Sequence, residues 1–231
     1  MTARIISYSA PLDPSCGSNL LEMVAYCARV SNPNNQHNTK SSEKLVQYLI
    51  KHKHWSPFEM VSVCMEIETT RDIARQLLRH RSFSFQEFSQ RYAMPGDLGA
   101  MEEMRECRLQ DTKNRQNSII CDDEELCKEW EEKQRGLLLY SSELYGWGVS
   151  RGLAKEVCRV LLPEGLTRSR LYVNGTLRSW LHYLEVRSEV GSQREHRLLS
   201  DSVRVALSSV FPVGDTPTPP KEGGKEGEKE G

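Results

Sequence analysis

The sequence predicts an α+β domain in which an antiparallel sheet is flanked by helices. Residues 61–68 alternate apolar and polar side chains, which is typical of a strand with one face on a core. Several other segments repeat apolar residues at intervals of three and four, which is typical of amphipathic helices. A length of 231 residues, 38% of them hydrophobic, suffices for one such domain but not for two large ones.

The first half of the chain is expected to contain two strands and three helices. In order, they are a strand at 3–8, a helix over 20–31, a helix over 41–54, the strand at 61–68 and a helix over 70–78. Ser41 or Ser42 is the expected N-cap of the second helix, and Thr70 is that of the third. The second helix must end before Ser56, because the proline that follows excludes Ser56 from helical geometry.

The second half is expected to be mainly helical. A long amphipathic helix spans 122–151, with Gly152 as its C-cap. Its expected buried anchors are Leu126, Trp130, Leu137, Tyr140 and Leu144. It is followed by a helix over 154–162, a strand at 170–173, a turn at Asn174 and Gly175, a helix that carries Leu177, Trp180, Leu181 and Leu184, and a last helix over about 193–210.

Charge and composition exclude several classes of protein. The chain balances 31 Lys and Arg against 32 Asp and Glu, so its net charge gives no support for nucleic-acid binding. It shows neither the apolar core of a signal peptide nor an apolar run long enough for a membrane span, so a cytoplasmic protein is expected. The domain is expected to cover 1–212. Residues 213–231, rich in Pro, Gly, Lys and Glu, are expected to be a disordered tail without a catalytic role.

The seven cysteines have an odd total and no C-x-x-C pair, which fits neither a zinc ribbon nor a disulfide framework. They are expected to be reduced, mostly packed thiols. Cys158, beside Arg159, could be a reactive thiol, but packing is the preferred interpretation. His52 and His54 lack further ligands at metal spacing, so no metal site is expected.

One stretch, residues 79–92, concentrates side chains that bind charged and aromatic ligands. It holds three arginines, one histidine, three serines, one glutamate and four aromatics. Arginine forks suit phosphates and aromatic walls suit planar rings, so the set fits an aromatic phosphate ester. Composition also permits an exposed basic loop. A third alternative is a strand that binds single-stranded nucleic acid by stacking bases on Phe83, Phe85 or Phe88, in a non-catalytic RNA- or nucleotide-binding protein.

The order of residues in this stretch resembles the signature of the flavin-dependent thymidylate synthases. That signature is Arg-His-Arg, here at 79–81, then seven residues, then a serine, here Ser89. Glu87, Arg91 and Tyr92 also stand where that family has them. Further segments occur in the family's order across roughly 20–210, namely 28–31, 52–59, 159–163 and 174–187.

The resemblance implies the flavin-dependent thymidylate synthase fold and the methylation of dUMP to dTMP. Methylenetetrahydrofolate would supply the carbon and reduced FAD the hydride, with NADPH recharging the flavin. The resemblance also implies a homotetramer with active sites between subunits, and no nucleic-acid or membrane partner. One chain would then hold only part of each site.

The resemblance also implies a set of cofactor contacts. They are Ser56, Arg79, His80, Arg81, Glu87, Thr176, Leu177, Arg178 and His182. Arg79, Arg81 and Arg178 would suit a pyrophosphate and a reduced, anionic isoalloxazine. Thr176 and His182 depart from many relatives, which have Asn there, although both can still form hydrogen bonds. Trp55 would be either an aromatic wall for the pterin or a cap on the core.

The dUMP contacts implied in the same way come from both halves of the chain. They are Gln76, Arg79, Glu87, Ser89, Gln90, Arg91, Arg159 and Arg187. Arg91 and Arg159 would hold the phosphate. Ser89 is expected to bind rather than attack, because no adjacent general base activates it.

Arg187 is the expected catalytic residue. A guanidinium cannot act as a base at physiological pH, so its role must be electrostatic. Beside N3 and a carbonyl oxygen of uracil, it would favour the N3-deprotonated ring and so raise the electron density at C5, which attacks the folate methylene. Near a helix C-terminus, the same cation could instead merely stabilise the helix dipole.

Overall fold

The structure is a computed structural model that describes residues 1–99 and 104–212, so the expected tail at 213–231 lies outside it. Its strands and helices are β1 (Thr2–Tyr8), α1 (Leu20–Ala28), α2 (Ser42–Lys51), β2 (Ser62–Thr70), α3 (Arg71–Leu77), β3 (Phe83–Glu87), β4 (Arg108–Gln110), β5 (Ser118–Ile120), α4 (Glu124–Ser150), α5 (Lys155–Cys158), β6 (Arg168–Thr176), α6 (Leu177–Arg187) and α7 (Arg194–Ser208). The predicted α+β class is confirmed.

Four strands form the main sheet in the order β1-β2-β6-β3, and each neighbouring pair is antiparallel. The alternating segment of the sequence forms the inner strand β2, where Val63, Met65 and Ile67 are fully buried. On the opposite face, Glu66 accepts hydrogen bonds from Arg4 of β1 and from Tyr172 of β6. The predicted antiparallel sheet with one apolar face is therefore confirmed. Strands β4 and β5 form a separate hairpin that the sequence did not predict.

The apolar face of the sheet is covered by helices. Their buried side chains come from five of them and include Leu20, Val24, Val46, Ile73, Leu177, Trp180, Leu184, Leu199 and Val203. Trp180 is fully buried, and its indole Nε1 donates to the Val63 carbonyl over 2.9 Å, which ties α6 to β2. This arrangement fixes α6, and with it the residues that α6 presents to solvent.

The predicted turn at Asn174 and Gly175 is wrong, because both residues lie inside β6. Asn174 pairs with Cys64, and Gly175 lies between Val63 of β2 and Phe83 of β3. An Asn-Gly pair favours a turn only when no longer-range pairing competes, and here strands on both sides supply it. Strand β3 itself was predicted only in the nucleic-acid alternative. Its aromatic and polar residues do alternate, but over only five residues.

The long helix α4 has the predicted ends. The Asp123 side chain accepts hydrogen bonds from the amides of Glu125 and Leu126, which caps the first turn. At the other end Gly152 has φ +80, and the Leu153 amide donates to the Gly148 carbonyl over 3.1 Å. A residue with a side chain is strained at this φ, so Gly152 ends the helix as expected.

Four of the five predicted anchors of α4 are wrong, and the fifth, Leu144, is half-buried. Leu137 and Tyr140 are 50% and 61% exposed, and Leu126 and Trp130 are also exposed. The helix packs instead through Gln134, Ser141, Tyr145 and Gly148, which are buried on a neighbouring side. Gln134 donates to the Arg105 carbonyl, and Ser141 donates to the Leu161 carbonyl. Gly148 has no side chain, so Cys158 can approach the helix closely. Small and polar residues can therefore replace an apolar stripe at a contact within the chain.

The predicted helix over 154–162 is shorter in the structure. It consists of α5 and a 3-10 turn, Arg159–Leu161, because Leu162 turns to an extended conformation before Pro163. Within residues 1–99 and 104–212, no helix combines the length and apolar composition that a membrane crossing needs. The cytoplasmic location stays a prediction.

Candidate functional site

Arg187 lies at the end of α6, with its guanidinium against His80. The Arg187 Nε donates to His80 Nε2 over 2.9 Å, and Nη2 reaches the Gln76 carbonyl at 3.5 Å. Burial, followed by the charge of Arg187, lowers the pKa of His80 to about 4, so the imidazole is neutral and can accept this bond. Burial also lowers the pKa of Arg187, but a guanidinium stays protonated at neutral pH. The pair thus holds one cation in a fixed orientation.

A partly buried chain of polar side chains contacts this pair. Gln76 Oε1 accepts from His196 Nδ1 over 3.1 Å, and Gln76 Nε2 donates to Gln193 Oε1 over 2.6 Å. Burial, followed by the charge of Arg187, lowers the pKa of His196 to about 3, so this histidine is also neutral. The side chain of Gln76 is therefore held at both of its polar atoms. Gln76 was predicted from the sequence, whereas Gln193 and His196 were not.

A cavity of about 490 Å³ opens beside α6, and it contains three of the predicted cofactor residues, Thr176, Arg178 and His182. Its full lining is Trp55, Glu59, Ser82, Thr176, Arg178, Ser179, His182 and Glu185. Thr176 is the N-cap of α6 and accepts from the Ser179 amide, while Arg178 and His182 are one helical turn apart. The local sequence thus turns the solvent face of α6 into one wall of the cavity.

The charges in this cavity are partly compensated within the chain. Arg178 forms an ion pair with Glu59, and His182 Nδ1 lies 3.7 Å from the Glu185 carboxylate. An anionic ligand at Arg178 would therefore have to compete with Glu59. Such exposed ion pairs contribute only about 0.2–1 kcal/mol, so replacing Glu59 by a ligand anion would cost little binding free energy.

The remaining predicted cofactor residues lie outside the cavity lining. Ser56, Arg79 and Arg81 are exposed, and His80 bonds Arg187 as described. The Leu177 side chain is fully buried in the core, and its amide donates to the Val61 carbonyl. A cofactor contact by Leu177 could therefore involve only its carbonyl oxygen. These contacts stay predictions.

A second cavity, of about 430 Å³, lies between α3 and α5 and collects part of the predicted nucleotide site. Its lining is Arg71, Arg75, Gln90, Glu156, Arg159, Val160, Leu162 and Glu164. Gln90 is only 3% exposed, and among the described residues its Nε2 has no hydrogen-bond partner. An unpaired buried amide is costly, so this donor is suited to a ligand oxygen.

The arginines of this second cavity differ in their partners. Arg75 pairs with Glu164, and Arg71 lies 3.4 Å from Glu87, whereas Arg159 forms no ion pair with a described residue. Arg71 and Arg75 were not predicted as site residues. Their spacing of four residues, continued by Arg79, was the available signal, because it places arginines along one side of a helix.

Three other predicted nucleotide contacts, Glu87, Ser89 and Arg91, lie next to residues that line this cavity. Glu87 accepts from the Ser169 hydroxyl over 2.7 Å, and the Ser89 hydroxyl accepts from the Arg91 amide over 3.4 Å. The Arg91 guanidinium pairs with Glu156 over 3.0 Å. Arg187 lines neither cavity, so one chain groups the predicted site residues in separate places.

Comparison with known proteins identifies the family. A family model described as thymidylate synthase complementing protein matches residues 18–213. The chain belongs to the family of flavin-dependent thymidylate synthases. It is 44% identical to a probable flavin-dependent thymidylate synthase of Paramecium bursaria Chlorella virus 1 over 212 residues, 92% of this chain and 96% of that protein. It is also 44% identical to a flavin-dependent thymidylate synthase of Synechocystis sp. over 215 residues, 92% and 97% of the two chains.

A solved structure shares the fold. The crystal structure of a UMP/dUMP methylase from Streptomyces cacaoi bound with 5-Br dUMP superposes with a TM-score of 0.73 at 24% identity, covering 92% of this chain and 91% of that one. The family resemblance and the fold expected from the signature motif are therefore confirmed. The roles of individual side chains in flavin-dependent thymidylate synthase chemistry stay predictions.

Proposed function

We propose that this chain catalyses the reductive methylation of dUMP to dTMP for dTTP synthesis. The observation that carries the proposal is Arg187, a partly buried cation whose Nε is held by a neutral His80. The family and its 44% identical relatives, named as flavin-dependent thymidylate synthases, support the reaction. The methylase of similar fold is bound with 5-Br dUMP, which supports the substrate.

The nucleotide phosphate would bind in the cavity between α3 and α5. Arg159 has no ion-pair partner in the described chain, so it can bind a phosphate without breaking an existing pair. Arg91 would join it by exchanging Glu156 for the ligand. Gln90 would donate its unpaired Nε2 to an oxygen of the nucleotide.

The flavin would bind at the cavity beside α6. Thr176, Arg178 and His182 supply hydrogen bonds and a cation, and Trp55 supplies an apolar wall, which together fit a planar anionic group. When bound, FAD reduced by NADPH supplies the hydride, while methylenetetrahydrofolate supplies the carbon. Arg79 and Arg81, both exposed in one chain, would reach the cofactor.

Arg187 would act on the uracil ring by charge alone. His80 accepts from Nε and the Gln76 carbonyl from one Nη2 hydrogen, so three N–H donors of the two Nη groups remain for N3 and a carbonyl oxygen of the base. A partly desolvated cation stabilises a developing anion more strongly than an exposed one. The N3-deprotonated ring that it favours is the better carbon nucleophile at C5.

The complete site would form between subunits of a homotetramer. In one chain Arg187 lines neither cavity, so the predicted residues need a further element to enclose a ligand. Helix α4 offers an exposed apolar side, with Leu137, Tyr140 and Trp147, that a second copy can cover.

The test is an Arg187→Ala variant assayed for flavin content and for dTMP formation. We expect FAD to remain bound while turnover falls about 10²–10³-fold, the usual cost of removing one such donor. Arg4→Ala, at an exposed arginine on β1, is the matched control and should keep wild-type turnover.

Two outcomes would contradict the proposal. Wild-type turnover in Arg187→Ala would remove this residue from the mechanism. A wild-type protein that takes up no FAD, but binds RNA with a steep salt dependence, would instead support the nucleic-acid alternative.

A further inference from the structure

Three of the seven cysteines come together where the β4–β5 hairpin meets the start of α4. They are Cys107, before β4, Cys121, after β5, and Cys127, in the first turn of α4. Their Sγ atoms all lie within 4.8 Å of one another. Because they do not form a C-x-x-C pair, the sequence alone predicted separate packed thiols. The hairpin creates a cluster that spacing along the chain did not reveal.

The backbone around the cluster is fixed by hydrogen bonds. The Cys121 amide donates to the Cys107 carbonyl over 3.4 Å, which closes the hairpin. The Cys127 amide donates to the Asp123 carbonyl over 3.0 Å, within a helix whose first turn Asp123 caps. Cys121 is 8% exposed, and the other two are half-buried. The three thiols are therefore held together by the fold, and only rotation of their side chains is left free.

We propose that Cys107, Cys121 and Cys127 bind a thiophilic divalent cation of the zinc class, with water in the fourth position. Tetrahedral zinc with Zn–S bonds of about 2.3 Å places sulfur atoms about 3.8 Å apart, so the thiols need to approach by only about 1 Å. A disulfide would require one pair to reach about 2 Å and would leave the third thiol without a role.

The surroundings of the cluster favour a cation. Four consecutive acidic residues, 122–125, lie between Cys121 and Cys127 in the sequence. Thiolates crowded beside carboxylates repel one another unless a cation compensates them. The Asp123 carboxylate already accepts from two helix amides, so it is not needed as a ligand.

Binding at the cluster would have a structural effect that reaches the candidate site. Arg105, just before Cys107, pairs with Asp72 of α3 over 2.8 Å, and Arg108 pairs with Glu195 of α7 over 2.5 Å. These two helices carry Gln76 and His196. A cation that fixes the hairpin would thus stabilise the segment that links α3 to α7. This proposal does not depend on the proposed reaction.

The experiment uses the full chain, reduced and freed of metal, and titrates it with Co²⁺ as a spectroscopic probe for zinc. We expect thiolate-to-cobalt charge-transfer absorption that saturates at about one equivalent per chain and disappears when Zn²⁺ displaces the probe. Cys107→Ser, Cys121→Ser and Cys127→Ser should each weaken binding at least tenfold. Cys27→Ser and Cys64→Ser, at two cysteines outside the cluster, are the matched controls.

A second measurement on the wild-type protein keeps the proposal testable if a serine variant fails to fold. Zinc should protect three thiols per chain from a thiol-specific reagent, and it should raise the melting temperature. Absence of the charge-transfer band, or a band of equal strength in all three serine variants, would overturn the proposal. So would the finding of a disulfide within the cluster in protein purified without reductant.

Discussion

Helices α6 and α4 carry similar apolar patterns, yet the fold buries one and leaves the other exposed. In α6, Trp180 and Leu184 are fully buried against the sheet. In α4, Leu137, Tyr140 and Trp147 are exposed. The periodicity of a helix therefore shows that one side needs covering, but not whether the cover comes from the same chain.

The difference separates two sources of stability. Contacts of α6 belong to the core of a single chain, whereas no residue in the described part of the chain covers the apolar side of α4, which is open to another molecule. In our proposal this other molecule is a second copy of the chain. Changes at the two helices should therefore alter the free energy of unfolding by different amounts.

Trp180→Ala should have the largest effect. It empties a fully buried site in α6 and removes the donor to the Val63 carbonyl. The free energy of unfolding should fall by about 3–5 kcal/mol, measured by denaturant titration with circular dichroism. Trp147→Ala, the control in α4, should cost less than half as much. Equal losses would show that α4 contributes to the core as α6 does.

Acid should weaken the packing around α6 through two histidines. Burial lowers the pKa of His80 to about 4 and that of His196 to about 3, from the ordinary value of 6.5. Between those values the unfolded chain binds more protons than the folded one, so stability is complete above pH 6.5 and falls as pH decreases. The slope should approach about 1.4 kcal/mol per pH unit for each histidine.

His196→Asn tests this slope. Asparagine can still donate to Gln76 but does not titrate, so the pH dependence between about 4.5 and 6.5 should lose roughly half its slope. Denaturant titrations at several pH values measure it. An unchanged slope would mean that His196 is protonated in the folded state or that other groups dominate.

Charged substitutions on α4 should have the smallest effect on the fold of one chain. Leu137→Glu combined with Tyr140→Glu places two carboxylates on the exposed apolar side and should change the monomer's free energy of unfolding by about 0.5 kcal/mol or less per site. The oligomer should dissociate, which sedimentation velocity measures. Lys133→Glu, on an exposed ion pair of the same helix, is the control. An assembly that survives the double substitution would place the interface elsewhere.

Much of the fold was predictable because local patterns determined it. The alternation in β2, the C-cap of α4 at Gly152 and the apolar stripe of α6 were all visible in the sequence. Strand β3 and the continuation of β6 through Asn174 were not, because they depend on pairing between distant segments. The exposure of the apolar side of α4 could not be predicted either. Periodicity shows that a helix has an apolar side, but not whether the same chain or another molecule buries it.

Site residues that belong to a sequence motif could be predicted. Those that only the tertiary fold brings together could not. Arg187, Gln76 and Arg159 were identified through the family resemblance. Gln193 and His196, which hold the Gln76 side chain, lie more than a hundred residues from it along the chain. No local pattern connects residues so far apart. The thiol cluster was hidden in the same way, because a hairpin assembles it.

Gly175 determines how the signature motif can be aligned on the sheet. Its missing side chain leaves room for the ring of Phe83 from β3, and a Cβ there would overlap that ring. Sliding β3 by one residue along β6 would place Asn174 or Thr176 beneath the ring and move every side chain of β3 to the opposite face. Five of the seven residues between Arg81 and Ser89 are thus locked in a single register. The two ends of the motif cannot shift independently, so the distance between the ligands they would bind is built into the strand pairing.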